Sequence, residues 1–368
     1  MSYTQQDVLN ALRHVDDPDI KKDLVTLNMI SNVAVEGNKI SFKVTLTTPA
    51  CPLKDKIKND CIQAIYQYVD KNADVHVEMD ANVTTLRKEN VNVLPSVKNI
   101  ICVASGKGGV GKSTVAVNLA LSLARQGAKV GLIDADIHGP SVPLMLGVKG
   151  KRPEVRLIKD KHYMVPLEAE GIKILSIALL IDERQAVVWR GPMVTSALRQ
   201  FVTDCIWGKL DYLVVDMPPG TGDVHLTVAQ TLNVTGAVVV TTPQEVALAD
   251  ARKAIAMFRL DNINVPVLGV VENMAWFTPA ELPENKYYLF GKEGGKRLAD
   301  EYEVPLLAQI PLVQSIREGG DTGKPVSSYG RDNEQVAAAF DELATNVARQ
   351  IAIKNANLAP EETEPALS

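Results

Sequence analysis

One short segment limits the folds open to this 368-residue chain more than any other. Residues 105–114 read SGKGGVGKST and match the phosphate-binding pattern G-x-x-x-x-G-K-[ST] without a mismatch. The apolar run 99–104 before it predicts a buried parallel strand, and the apolar stretch 114–124 after it predicts a helix. This order of strand, glycine-rich loop and helix predicts an α/β fold that contains a P-loop.

The residue types of this loop fit the binding of a nucleoside triphosphate. Gly108, Gly109 and Gly111 let the backbone bend so that its N–H groups and the N-terminus of the following helix point at phosphate oxygens. Lys112 is predicted to reach the β- and γ-phosphates of ATP, and Ser113 to ligate Mg²⁺. The predicted nucleotide-contacting residues are Gly106, Lys107, Gly108, Gly109, Val110, Gly111, Lys112, Ser113 and Thr114.

Aspartates follow two further apolar strands. Asp134 and Asp136 come at the end of the first, and Asp216 ends the second, just before a glycine-rich turn at 220–222. Because ligands of open α/β sheets bind at the carboxyl ends of the strands, these carboxylates are expected beside the P-loop. We predict that Asp136 lies near Mg²⁺ and the attacking water, that Asp216 holds Mg²⁺, and that the turn senses the γ-phosphate, with Asp134 in a supporting position.

The rest of the chain alternates strands with helices. Apolar strands are predicted at 236–242 and 267–273, and a closing helix at 333–353. The predicted fold class is therefore α/β, a mostly parallel sheet with helices on both faces, preceded by a small α+β domain. Asn273, at the end of a strand, is predicted to hydrogen-bond the adenine edge, and 308–320 is predicted to bring a last strand and loop near the base.

The first 86 residues carry a different pattern. A helix capped by Thr4 is followed by two alternating strands joined at Gly37, a second helix and a third strand, which predicts an α-β-β-α-β unit. The predicted organisation is this domain at 1–86, a linker at 87–98, the ATPase domain at 99–355 and an acidic, disordered tail at 356–368.

Composition limits which partners and which cellular compartment can be expected for this chain. Hydrophobic residues make up 46% of the chain and charged residues 23%, as in globular proteins with a sizeable core. The net charge of −5 gives no overall attraction to nucleic acid or to an anionic membrane. The chain shows neither a signal-like start nor an apolar run long enough to span a membrane, so a cytoplasmic location is expected, without nucleic-acid or membrane partners.

Four cysteines offer few ligands for a metal, because none forms a C-x-x-C pair. Cys51 precedes Pro52, so its thiol is predicted to lie at a helix N-terminus, which would favour the thiolate. Cys61 is in register with the apolar face of its helix and is predicted to be in the core. Cys102 is predicted to be buried in mid-strand, and Cys205 to be packed on a helix.

The lysine that follows the first glycine of the P-loop is an additional feature. With Lys107 the loop reads KGGVGKST and resembles the deviant Walker A motif of the MinD/ParA/nitrogenase-iron-protein ATPases. In that group the extra lysine reaches across a dimer to the nucleotide of the partner. The resemblance therefore implies a homodimer in which Lys107 acts in trans during hydrolysis.

Motifs along nearly the whole chain resemble the Mrp/ApbC family of iron–sulfur cluster carrier ATPases. The resemblance rests on 105–114, DADIHGPS at 134–141, WRGPM at 189–193, DMPPGTGD at 216–223, VENM at 271–274 and IREGG at 316–320. It implies ATP binding and hydrolysis by a homodimer that works with assembly factors and passes a cluster to apoprotein clients. The segment TTPACPL at 47–53 resembles a small domain of iron–sulfur assembly proteins, which makes Cys51 the candidate iron–sulfur ligand.

One departure from that family concerns the cluster. Many members carry a C-x-x-C after the ENM motif, whereas residues 273–288 of this chain contain no cysteine. Two alternatives to a carrier are therefore kept: an ATP-dependent assembly scaffold that binds no cluster, and a MinD/ParA-type positioning ATPase. The acidic end of the chain, 361–368, disfavours the second alternative, since a membrane-cycling relative is expected to end in a basic amphipathic helix.

Overall fold

The computed structural model describes residues 3–86, 93–137, 139–180, 191–279, 281–282, 284–328 and 334–358. The chain forms two compact units, one of Met1–Leu86 with Ala348–Ser368 and one of Arg87–Val347. The ATPase domain predicted at 99–355 thus differs from the second unit at its C-terminal end. Residues 87–92 of the predicted linker and 359–368 of the predicted tail lie outside the described residues, and 356–358 end a helix.

The first unit has the predicted α-β-β-α-β order. Its elements are α1 (Gln5–Leu12), β1 (Ile30–Glu36), β2 (Lys39–Leu46), α2 (Lys54–Tyr68) and β3 (Asp74–Ala81). Strand β2 lies in the centre of a three-stranded sheet, antiparallel to β1 and parallel to β3. The unit therefore has a sheet of its own, as expected for a separate α+β domain.

Local sequence explains how these elements begin and pack. Thr4 caps α1 reciprocally with Asp7: the Asp7 N–H donates to the Thr4 hydroxyl at 3.2 Å, and the Thr4 N–H donates to the Asp7 carboxylate at 2.9 Å. Along β2 the buried side chains alternate with more exposed ones, as a strand with one core face requires. Cys61 and the apolar side of α2 pack into the same core.

The second unit contains the P-loop and a larger set of elements. Its strands and helices are, in chain order, β4 (Val97–Ala104), α3 (Lys112–Arg125), β5 (Val130–Asp134), α4 (Val142–Met145), β6 (Glu154–Ile158), β7 (Lys161–Val165), β8 (Leu167–Ala169), β9 (Ile172–Ser176), α5 (Gly191–Thr203), β10 (Leu210–Asp216), α6 (Asp223–Leu232), β11 (Gly236–Thr241), α7 (Glu245–Phe258), β12 (Val267–Phe277), α8 (Gly294–Glu301), β13 (Leu306–Leu312), α9 (Gln314–Asp321) and α10 (Glu334–Leu358), the last of which continues past Val347 into the first unit.

Eight of these strands form one sheet, in the order β13-β12-β11-β4-β10-β5-β9-β8. All neighbours run parallel except β8, which is antiparallel to β9. In the register of β10, Asp216 lies opposite Val103 of β4 and Asp134 of β5. The carboxyl ends of the three central strands therefore meet at one edge, where the P-loop begins.

The sheet is buried on both faces. Ile100 and Cys102 of β4 pack into a core built with residues of α5, α6 and α7. Ile101 and Val103, which point the opposite way along a strand, are also fully buried, and α3 contacts β4. A parallel sheet covered by helices is the predicted fold class, and it is confirmed.

The sequence did not predict the exposed hairpin of β6 and β7. These strands pair outside the main sheet, and Lys159 and Asp160 turn between them with φ of 47° and 63°. Such a turn usually carries glycine or asparagine, and here neither is present to signal it. Where the sequence predicted a loop after the last strand, the structure has helix α9.

Among the described residues, no helix has the length and apolar character that a membrane crossing requires.

Candidate nucleotide-binding site

The P-loop connects β4 to α3 at the carboxyl edge of the sheet, as predicted. Gly109 and Gly111 both have φ of +82°, a conformation that side-chain-bearing residues rarely adopt. At Gly111 space is limiting as well, because a Cβ there would lie 2.2 Å from Nδ2 of Asn273. The backbone conformation therefore favours glycine at this position, and a Cβ there would also displace the Asn273 amide.

Lys112 joins the predicted carboxylates. Its side chain is buried, and Nζ lies 2.6 Å from Oδ1 of Asp216 and 3.9 Å from Oδ2 of Asp136. Nζ also lies 3.3 Å from the Ser113 hydroxyl. Ser113 of the P-loop and the aspartates from two later strand ends thus meet around one ammonium group, and two carboxylates face its single positive charge.

Asp134 is the last residue of β5, two residues before Asp136. Its carboxylate accepts the Ser176 hydroxyl at 2.9 Å and the backbone N–H of Asp136 at 3.1 Å. Burial and then the charge of Asp216 raise the pKa of Asp134. Burial also raises the pKa of Asp216, although its ion pair with Lys112 opposes that effect. Asp134 therefore holds the loop that carries Asp136.

The oxygen atoms at this site suit Mg²⁺. Oδ2 of Asp216 is buried and has no hydrogen-bond partner among the described residues. The Ser113 hydroxyl and the Asp136 carboxylate lie 3.3 Å and 3.9 Å from the Lys112 ammonium group, to which Asp216 is also paired. Across the described part of the chain, no group of three or more His, Cys, Asp and Glu side chains is arranged to hold a metal by itself. Such a partial ligand set fits Mg²⁺, which commonly takes one or two protein ligands and completes its shell with phosphates and water.

A pocket of about 280 Å³ opens beside the P-loop. Gly111, Thr114 and Asn273 line one side, and residues of β13 and α9 line the other. Nδ2 of Asn273 donates to the carbonyl oxygen of Val110 at 2.8 Å, so this side chain connects the end of β12 to the P-loop. The structure thus brings Asn273 to a pocket next to the loop, and contact with adenine stays a prediction.

The second lysine of the loop has a different environment from Lys112. Lys107 is half-buried, and its ammonium group forms no ion pair with any described residue. Its backbone carbonyl accepts the Ser105 hydroxyl at 2.9 Å, which fixes the main chain of the loop. A role for the ammonium group in a partner's site stays a prediction.

The glycine-rich turn after β10 contacts the P-loop directly. We call residues 218–222 the switch loop. The N–H of Gly220 donates to the carbonyl oxygen of Ser105 at 2.9 Å, and Gly220 has φ of +93°. His225, in the first turn of α6, is buried beside this loop.

Sequence reasoning missed two polar residues at this site. Ser176 ends the apolar strand β9, and the rule that identified Asp134 and Asp216, a polar residue at the carboxyl end of an apolar strand, would have identified it too. His225 carries no comparable signal, because a single histidine near the start of a helix is compatible with many environments.

The structure corrects the prediction for Cys51. Helix α2 begins at Lys54 with Leu53 as its cap residue, so Cys51 lies in the turn before the helix rather than at its N-terminus. The thiol is half-buried, and burial raises its pKa despite a backbone N–H from Leu53 that favours the thiolate. The predicted lowering of this pKa is therefore wrong for the chain as it stands.

The other three cysteines are poorly placed to act as ligands. Cys61 and Cys102 are buried as predicted, and burial raises the pKa of each to about 12. Cys205 is half-buried and follows the end of α5, so its predicted place on a helix is wrong.

The WRGPM motif at 189–193 is only partly described, because residues 189 and 190 lie outside the described residues.

Curated proteins similar to this chain carry a common name. An iron-sulfur cluster carrier protein of Synechocystis is 47% identical over 95% of this chain and 98% of its own length. A protein of the same name from Deinococcus radiodurans is 48% identical, over 96% and 98%. A solved nucleotide-binding protein of Archaeoglobus fulgidus, in complex with ADP, is 38% identical with a TM-score of 0.56, over 65% of this chain and 91% of that one.

Two family profiles match consecutive parts of the chain. Residues 5–79 match the family described as iron-sulfur cluster assembly protein, and residues 96–348 match the family described as NUBPL iron-transfer P-loop NTPase. The second match contains the P-loop, the carboxylates and the pocket. On these matches, and on full-length relatives above 40% identity, the chain belongs to the NUBPL iron-transfer P-loop NTPases and carries an N-terminal iron–sulfur cluster assembly domain.

Proposed function

We propose that this protein binds and hydrolyses ATP with Mg²⁺ and, as a homodimer, carries iron–sulfur clusters to apoprotein clients. The observation that carries the first part is the convergence of Lys112, Ser113, Asp136 and Asp216 beside a pocket large enough for a nucleoside. The names of the full-length relatives support the second part.

Binding of ATP would replace the carboxylate partners of the Lys112 ammonium group with phosphate oxygens. The ammonium group, now paired with Asp216 and Asp136, would turn to the β- and γ-phosphates, while the N–H groups of the loop and of the first turn of α3 surround the same oxygens. The adenosine would occupy the pocket next to Asn273. Because the Asn273 amide nitrogen is bonded to Val110, its carbonyl oxygen is the atom offered to the adenine amino group.

Hydrolysis needs a water aligned with the γ-phosphate and a group that balances the developing charge. Bound Mg²⁺, held by Ser113 and Asp216, would supply Lewis-acid stabilisation of the phosphate oxygens. Asp136, whose carboxylate lies 3.9 Å from the Lys112 ammonium group, would orient the water and accept its proton. Lys107 would contribute its charge to the site of the partner protomer.

The cluster is cargo, and Cys51 is its candidate ligand. One cysteine in each protomer cannot supply the four thiolates of a common cluster, so two protomers would share it with thiols from outside the chain. Because the Cys51 pKa is raised by burial, a bound metal would have to displace the thiol proton, and cluster binding should weaken as pH falls.

A second candidate function is an ATP-dependent assembly scaffold that holds no cluster itself. One specific observation favours it: residues 273–288, where the resemblance to the Mrp/ApbC family leads one to expect a C-x-x-C, contain no cysteine. In this alternative the ATP chemistry is the same, and the first unit binds a client protein in place of a cluster.

The ATP part of the proposal is tested by Lys112→Ala. Removing the ammonium group should weaken Mg-ATP binding about 10- to 100-fold, the value of a hydrogen-bonded charge pair, and should abolish turnover. Titration calorimetry on the full chain measures the affinity, with Lys129→Ala, an exposed lysine after α3, as the control variant. Wild-type affinity in Lys112→Ala would contradict the site assignment.

A further inference from the structure

His225 is a buried group for which ATP binding and hydrolysis, as proposed above, have no use. It lies in the first turn of α6 with only 1% of its surface exposed, and neither ring nitrogen has a hydrogen-bond partner among the described residues. Burial is the main cause that lowers its pKa, and the positive charge of Lys112 adds to this. The ring is therefore neutral near pH 7 and carries one N–H donor and one acceptor nitrogen.

Two carbonyl groups of the switch loop face this ring. The carbonyl groups of Gly222 and Pro218, at the two ends of the loop, both favour the protonated form of the imidazole. Neither carbonyl is in hydrogen-bonding geometry with a ring nitrogen. The Gly222 carbonyl already accepts the backbone N–H of His225 at 3.0 Å. The Pro218 carbonyl is therefore the acceptor that a small movement of the loop would bring into hydrogen-bonding geometry.

The middle of the same loop is bonded elsewhere. The Gly220 N–H donates to the Ser105 carbonyl at 2.9 Å, at the start of the P-loop. A loop that senses the γ-phosphate must release such a donor and turn it toward the nucleotide. Pro218 and Gly220 are only two residues apart, so a movement that releases Gly220 also displaces the Pro218 carbonyl.

We propose that His225 is a positioning residue, whose ring N–H bonds the Pro218 carbonyl when ATP draws Gly220 away from Ser105. In the present position of the loop the buried imidazole has no hydrogen-bond partner among the residues that the structure describes, which disfavours that position. In the shifted position it gains a partner. Because its hydrogen bonding differs between the two positions of the switch loop, the side chain can shift the equilibrium between them. This role rests on the proposed ATP binding and hydrolysis.

Two substitutions separate this role from simple packing. His225→Leu removes both nitrogens, so the nucleotide-free protein should keep or raise its melting temperature while kcat for ATP hydrolysis falls about tenfold. His225→Gln retains a donor and an acceptor and should keep most of the wild-type kcat. Val228→Ala, in the same helix and buried, is the control: it should lower the melting temperature and leave kcat unchanged.

Amide hydrogen exchange of the full chain, measured with and without Mg-ATP, reports directly on the protection of the switch loop. The peptide covering 218–222 should change its exchange on ATP addition in the wild type and in His225→Gln, and much less in His225→Leu. The role is overturned if His225→Leu retains the full response and kcat, or if His225→Gln loses as much kcat as His225→Leu. A wild type that binds no Mg-ATP would instead overturn the proposed function, and this role with it.

Discussion

Two lysines of the P-loop, five residues apart, have opposite surroundings. Lys112 is buried and paired with Asp216 and Asp136, whereas the half-buried Lys107 has no ion pair with any described residue. Two carboxylates of the same chain hold the Lys112 ammonium group at the end of the P-loop. In the proposed homodimer, the Lys107 ammonium group would be available to the other protomer. The two lysines should therefore fail in different ways when they are substituted.

Lys107→Ala should bind ATP with nearly wild-type affinity and lose hydrolysis by roughly 10³-fold, the lower value for a charge supplied in trans to a phosphoryl-transfer site. The measurement is a nucleotide titration paired with steady-state phosphate release. Mixing Lys107→Ala with the hydrolysis-deficient Lys112→Ala should restore part of the turnover, since one mixed site then has both lysines. Unchanged hydrolysis in Lys107→Ala, or a loss of binding, would contradict the role in trans.

Asp136 is the residue expected to act on the attacking water. Asp136→Asn keeps the shape of the side chain and removes its basicity, so Mg-ATP binding should persist while turnover falls by about 10²- to 10⁴-fold. Single-turnover phosphate release measures the chemical step. Glu154→Gln, on the exposed strand β6, is a matched carboxylate control that should hydrolyse ATP normally. Undiminished turnover in Asp136→Asn would exclude this carboxylate from the reaction.

At the scale of elements, the P-loop is held from several sides. Asn273 of β12 bonds the Val110 carbonyl, Gly220 of the switch loop bonds the Ser105 carbonyl, and Gly106 packs against the main chain of α7. A Cβ at Gly106 would lie 2.0 Å from the carbonyl oxygen of Asp250, which is backbone and cannot move aside as a flexible side chain would. The first glycine of the loop is therefore required for packing.

Gly106→Ala should consequently destabilise the nucleotide-free protein by about 3 kcal/mol, the upper part of the range for overpacking. Gly108→Ala is the comparison within the same loop, because its Cβ would meet only the side chain of Pro219, at 4.0 Å. Thermal unfolding without nucleotide should show a clear drop in melting temperature for the first variant and little change for the second. Equal melting temperatures would show that the loop does not pack on α7 in this way.

Strongly patterned elements could be predicted from sequence, and features that depend on tertiary placement could not. The strand, loop and helix around Lys112 and the capped helix after Thr4 each carry a local signal, and the structure contains them. Helix α2 starts at Lys54 rather than at Pro52, and burial, which no local sequence pattern revealed, raises the pKa of Cys51. His225 is buried in the first turn of α6, and no local sequence pattern predicts that burial for a single histidine.

At the scale of the whole molecule, the chain joins an assembly-type domain to an NTPase unit, and their matches follow one another along the sequence. The nucleotide site lies entirely in the second unit and the candidate cluster ligand in the first. Loss of Cys51 should therefore leave ATP hydrolysis intact, while loss of Lys112 should leave the thiol of Cys51 in place. This separation allows the two halves of the proposed function to be tested independently.

The most direct test of the carrier function is anaerobic reconstitution of the full chain with iron and sulfide, followed by desalting, absorbance spectra and analysis of iron and acid-labile sulfide. The wild type should hold a labile cluster at a ratio of one per dimer, Cys51→Ser should hold none, and both should hydrolyse ATP equally. Cys205→Ser, which changes another half-buried thiol, should behave as the wild type. A wild type without sulfide-to-iron absorbance, or a Cys51→Ser variant that keeps all of it, would contradict the carrier mechanism and favour the scaffold.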